Sequence, residues 1–166
     1  MTYDIFRIIK KTNEYRERAS RYQQNFEWEM EREDREKAGE ALWGVVSCLI
    51  NALYLLEKGE PLTKHRVSVI FAQQFMISTF GEKDGKELVD IYGKVERFHD
   101  NFYHAFLDEA EFKKIVPDVI RLIKCLDSVL GDKLSEVEAK FTAQTHYEEP
   151  HHEEDGLWPR QFWPEE

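Results

Sequence analysis

The sequence predicts an all-α protein: an antiparallel up-and-down bundle of about five helices over residues 1–143, followed by an irregular acidic and aromatic tail over 144–166. Three observations carry this. Apolar residues recur at spacings of three and four along most of the chain, the period of a one-sided helix. N-capping acceptors, glycines and prolines mark the boundaries between these stretches. The composition, 42% apolar and 34% charged in 166 residues, suits one domain with a real core under a charged surface.

The first helix is expected from about Thr2 to Met30, because Tyr15, Ala19, Tyr22, Phe26 and Met30 keep one stripe on one face. A break at Glu33 and Asp34 is favoured over a single long helix, the competing reading that the lack of Gly or Pro in the region leaves open. The second, about Arg35 to Lys58, carries Leu42, Val45, Val46, Leu49, Leu53 and Leu56, flanked by Trp43, Ile50 and Tyr54, a face wide enough for the centre of the bundle. Gly59 and Pro61 end it. Thr63 is a cap for a third helix, about Lys64 to Thr79, stopped by Gly81, and the short loop between the two implies antiparallel neighbours. Asp84 with Glu87 and Asp108 with Glu111 each place an acceptor three residues before a glutamate, marking helices over about Gly85 to Leu107 and Glu109 to Leu130. Pro117 kinks or interrupts the latter and Gly131 closes it, and Ser135 with Glu138 opens a short terminal helix to about Ala143.

Charge and cysteines narrow the function classes. The net charge is −10, of which residues 144–166 contribute −6 through seven acids against Arg160, leaving the body at −4. This balance argues against tight nonspecific binding to DNA or RNA and leaves room for a small local site. Cys48 and Cys125 lie apart inside apolar helical patterns and read as buried thiols of a cytoplasmic protein. The longest apolar run, Leu42 to Leu56, is shorter than the ~20 residues of a membrane span. In the tail, His146, His151 and His152 among acids read as solvated rather than metal-binding, and Trp158, Phe162 and Trp163 are expected to dock on the bundle or a second subunit. No Glu-x-x-His pair, the arrangement of carboxylate-bridged bundles, is read on any expected helix, so no metal and no cofactor is expected.

The densest chemically capable cluster is Val95–His104. At ~100° per residue, Arg97, Asn101 and His104 share an outward face with Asp100 at its edge, whereas Leu88, Ile91, Val95, Phe98, Phe102 and Phe106 form the core-facing stripe. His99 falls on the apolar side with Tyr103 one turn on, as a buried histidine tethered by a hydrogen bond or as a pocket residue.

Arg97 followed by His104 resembles the Arg-x(4–6)-His motif of the HEPN superfamily of small helical domains. Ala38-Gly39-Glu40-Ala41-Leu42-Trp43-Gly44 and Phe98-His99-Asp100-Asn101-Phe102-Tyr103 are similar to elements of an archaeal HEPN branch of paralogous proteins, and the likeness covers about residues 33–130. It implies a homodimer that binds nucleotide or RNA, or docks a partner such as a nucleotidyltransferase, with His99, Asp100, Asn101 and Tyr103 as ligand-binding residues. It equally admits a metal-independent, toxin-type ribonuclease, in which His104 handles a proton and Arg97 stabilises the phosphorane-like transition state.

Overall fold

The computed structural model describes residues 3–147, and the tail, with the aromatics expected to dock, lies outside them. Four helices account for nearly all described residues: α1 (Ile5–Glu31), α2 (Arg35–Lys58), α3 (His65–His104) and α4 (Glu109–Tyr147). The all-α expectation holds, with four elements in place of about five.

The difference lies in what ends a helix. The expected third and fourth helices are one element, α3, doubled back at Gly81, whose φ of 85° and ψ of 171° leave the helical region. The two arms then pack so closely that a Cβ on Gly85 would stand 2.6 Å from the Ile77 Cα and the Met76 carbonyl oxygen. The turn therefore falls at Gly81, and Asp84 lies inside the second arm rather than capping it. Gly131 does not close a helix either: α4 runs through both Pro117 and Gly131 into the expected terminal helix. In a helix packed on one side by Val119, Leu122, Leu126, Leu130 and Leu134, burial outweighs the ~1 kcal/mol propensity cost of one glycine.

Local chemistry sets the other boundaries as expected. Asp34 accepts from the Lys37 N–H at 3.1 Å and starts α2 after a tight turn in which Glu33 adopts φ 60°. Asp108 and Glu111 form a reciprocal capping box, with the Glu111 N–H on Asp108 Oδ1 at 2.8 Å and the Asp108 N–H on Glu111 Oε2 at 3.3 Å. Gly59 takes the left-handed conformation past the end of α2. Thr63 does not cap α3: the capping position is Lys64, which makes no side-chain cap bond.

Helix directions follow from long-range pairs. α1 is antiparallel to α2, since the Tyr3 N–H reaches the Gly59 carbonyl and Tyr22 covers Gly44. The α2–α3 pair departs from the antiparallel expectation, because the linker runs back along α2. His65 therefore starts beside Trp43 and Ser47 while Phe71 meets Tyr54, and the first arm of α3 follows the direction of α2. The second arm returns antiparallel to α2, and α4 is antiparallel to that arm through Lys94–Asp118 and Arg121–Glu87. α2 occupies the centre, with thirteen buried residues. It is long and apolar enough to cross a membrane by length and composition, yet most of it is covered by the other helices. Cys48 is buried there and Cys125 is half-buried on α4.

Candidate functional site

The α1–α2 and α3–α4 connections meet at one end of the bundle, where the first turns of α2 face the last turns of α3. On α2, Glu40 and Trp43 stand three residues apart. On the antiparallel second arm, Glu96, His99 and Tyr103 follow at three and four. The two sets interlock. His99 Nδ1 lies 2.9 and 3.2 Å from the two Glu40 oxygens, and the imidazole stacks on Trp43 with ring centroids 4.1 Å apart and an interplanar angle of 18°. Tyr103 approaches the same imidazole edge-on at 5.5 Å.

The next turn repeats the pattern. The Trp43 Nε1–H donates to Glu96 Oε1 at 3.3 Å, and the other Glu96 oxygen lies 3.1 Å from His65 Nε2. Behind it Tyr92 is buried near Ser68 and Glu96, and burial together with the Glu96 charge pushes its phenol well above the usual range. Trp43 is thus fixed on its face by His99 and at its edge by Glu96.

Protons are assigned by elementary chemistry. A carboxylate only accepts, so the hydrogen shared with Glu40 sits on His99 Nδ1, leaving Nε2 as the open position of a half-exposed ring. By the same reasoning His65 carries its hydrogen on Nε2. A histidine oriented at one nitrogen and open at the other is the arrangement used for proton transfer and for hydrogen bonding to a ligand.

Of the two expectations for His99, the tethered histidine is met in its hydrogen bond, although the ring is half-buried rather than buried. Tyr103 is 66% exposed and Asp100 is exposed. Asn101 is a correction: it is 1% exposed, and its Oδ1 accepts from the buried Leu107 N–H at 2.7 Å, closing the C-terminal turn of α3. It does not share an outward face with Arg97 and His104. Phe102 and Phe106 are the converse correction, 37% and 47% exposed where a core position was expected. The stripe that is buried runs Leu88, Ile91, Tyr92, Val95, Phe98 and Asn101, and α3 stops at His104, so Phe106 lies beyond its last turn.

Arg97 and His104 are both exposed, but the structure does not join them. The Arg97 guanidinium sits over the Phe106 ring at 5.6 Å. His104 has no hydrogen bond or ion pair among the described residues.

Sequence reasoning named His99 and Tyr103 and missed Glu40, Trp43, Glu96 and His65 as members of one constellation. The available signal was the matched three-residue spacing of Glu40/Trp43 and Glu96/His99 on two neighbouring helices. The expectation that no helix carries a Glu-x-x-His pair is corrected by Glu96 and His99 on α3, yet Glu96 turns to Trp43 and His65 while His99 turns to Glu40. Among the described residues no group of three or more histidines, cysteines, aspartates or glutamates could hold a metal ion.

A cavity of about 510 Å³ between α1, α2 and α4 lies elsewhere. Leu42, Val45 and Leu49 floor it and the Arg16–Asp127 ion pair borders it, but its lining holds no histidine. Arg16, Glu17, Glu27, Lys124 and Asp127 surround that apolar floor, whereas the oriented histidine lies at the Glu40–His99 pair, where we place the site. No family model, curated protein or solved structure matches the chain.

Proposed function

We propose that the protein is a HEPN-like helical module that acts as a homodimer and binds a nucleotide or RNA, or docks a protein partner such as a nucleotidyltransferase, at the outward end of α3. The observation that carries this reading is the setting of His99, held at Nδ1 by Glu40, stacked on Trp43 and open at Nε2 beside the exposed Tyr103 ring. Stacking surfaces next to a fixed hydrogen-bonding group suit an unstacked base, and such binding does not need a broad basic patch. Trp28, Phe102, Tyr103 and Phe106 leave large apolar side chains exposed, area of the kind a second subunit would cover.

The cleavage alternative has less support. An arginine that stabilises a phosphorane must be free to reach it, whereas Arg97 packs on Phe106. A general base is normally oriented by a third group, and His104 has none among the described residues.

Titrating labelled single-stranded RNA against the full chain in EDTA, with mass measured by light scattering, tests the reading. The expected result is a dimer that binds intact RNA, with affinity reduced about tenfold or more in His99→Ala and in Tyr103→Ala. A monomer that binds no RNA would contradict it. RNA cut by the wild type and spared by His104→Ala would instead establish the ribonuclease.

A further inference from the structure

Beside the Glu40–His99 pair, α1, α2 and the end of α3 enclose a recess of about 280 Å³. Four rings line it, Tyr22, Trp28, Trp43 and Phe102, together with two carboxylates, Glu29 and Glu40. Gly44 shapes the wall, since a Cβ there would meet the Tyr22 ring at 2.9 Å, so Tyr22 lies directly on the α2 backbone.

The polar groups are unevenly satisfied. Glu40 already faces His99 Nδ1. Lys37, on the same wall, is held by Asp34 at 2.9 Å. Glu29, half-buried on α1, lies close enough to Lys37 for its charge to favour the ammonium, but it makes no side-chain hydrogen bond or ion pair among the described residues, and its Oε2 is shielded from solvent without a hydrogen-bond partner. Trp43 carries His99 on one face and Trp28 carries the Arg32 guanidinium at 5.0 Å, so each indole has one face left for a flat group, and a half-buried carboxylate without a hydrogen-bond partner favours N–H donors, best supplied as an adjacent pair.

We propose that this recess is a guanine site, in which the base stacks on the indoles and turns N1–H and the N2 amino group to the Glu29 carboxylate. Guanine alone among the common bases presents two adjacent donors on its Watson–Crick edge. Adenine and cytosine set a ring-nitrogen acceptor beside their amino group, and uracil flanks one N–H with two carbonyls, so each turns acceptors to the carboxylate. Two carboxylates against one lysine, itself held by Asp34, disfavour phosphate in the recess, an arrangement met by a base extruded from single-stranded RNA. A guanidinium would also satisfy Glu29 but would cover far less indole surface than a purine. The inference rests on the nucleotide or RNA reading above and narrows it to one base.

Calorimetric titration of the full chain with guanosine and with adenosine tests it. Guanosine is expected to bind about tenfold more tightly. Glu29→Gln is expected to remove most of that preference, because a glutamine amide offers a donor and an acceptor together, the pattern adenine matches. Trp28→Ala is expected to weaken both nucleosides about tenfold. Both positions are partly exposed, and unchanged helical circular dichroism confirms that the variants fold. Equal affinity for the two nucleosides, or an unchanged ratio in Glu29→Gln, overturns the guanine site. So does tighter binding of acetyl-arginine amide than of guanosine, which assigns the recess to a cationic side chain. RNA titrated in parallel separates the two levels: binding without guanosine preference removes the guanine site alone, and no binding of any RNA removes both.

Discussion

The Leu107 N–H, buried just past the end of α3, finds its acceptor in Asn101 Oδ1 at 2.7 Å. Replacing Asn101 by alanine leaves that donor without a partner away from water, which costs about 1–3 kcal/mol. Chemical unfolding of Asn101→Ala should show a loss of that size, and an unchanged midpoint would remove the capping role. Cys48 gives a pH dependence. Burial pushes its thiol up to about 11 from the ordinary 9.0, so the neutral form is the one the fold favours. The raised folded value means that this contribution is fully present below about pH 9 and is lost as pH rises through about 11. The difference corresponds to roughly 3 kcal/mol. Urea unfolding at about pH 8 and about pH 11 should therefore show a smaller alkaline loss in Cys48→Ala than in the wild type. Equal losses would place the thiolate in contact with water.

At the scale of the element, α3 depends on two glycines for different reasons. Gly81 supplies a φ of 85°, and Gly85 lets the second arm touch the first. Alanine at Gly81 strains one residue in open space, a cost of about 1–3 kcal/mol. Alanine at Gly85 drives a methyl group into backbone that cannot rotate aside, so Gly85→Ala should lower the melting temperature more than Gly81→Ala. The reverse order would mean that the arms separate easily. The sequence marked Gly81 correctly as an interruption, since glycine there breaks the helical period. That the chain doubles back in a single residue was not legible, because it depends on the contact between positions 77 and 85. Gly131 reads the same locally as a stop signal, yet α4 continues because its buried leucines on both sides of that point pack on one face. Helix ends fixed by neighbouring side chains, such as Asp34 and the Asp108–Glu111 box, were readable for the same reason that they form: the interaction is local.

For the whole molecule, the end of the bundle that carries the site is assembled by long-range pairs. Glu40 and His99 lie 59 residues apart in sequence, and Trp43 and Glu96 lie 53 apart. A helix wheel could place His99 near Tyr103, but it could not supply the partner on α2, and it set Asn101 outward and Phe102 and Phe106 inward because the buried stripe steps from Phe98 by three residues to Asn101 rather than by four to Phe102, and α3 ends at His104, short of Phe106. What the sequence did contain was the composition of the region, with histidine, tyrosine and tryptophan concentrated in two short stretches that the fold brings together. The proposed function makes that junction the working surface, with Arg97 and His104 near its margin rather than at its centre. Chemical-shift mapping of the labelled full chain with a single-stranded RNA oligonucleotide tests this most directly. The account predicts that perturbed amides cluster at 37–44 on α2 and 96–104 on α3. Shifts confined to the groove between α1 and α4, at Val45, Leu49, Ile120 and Ile123, or no shifts at saturating RNA, would contradict it.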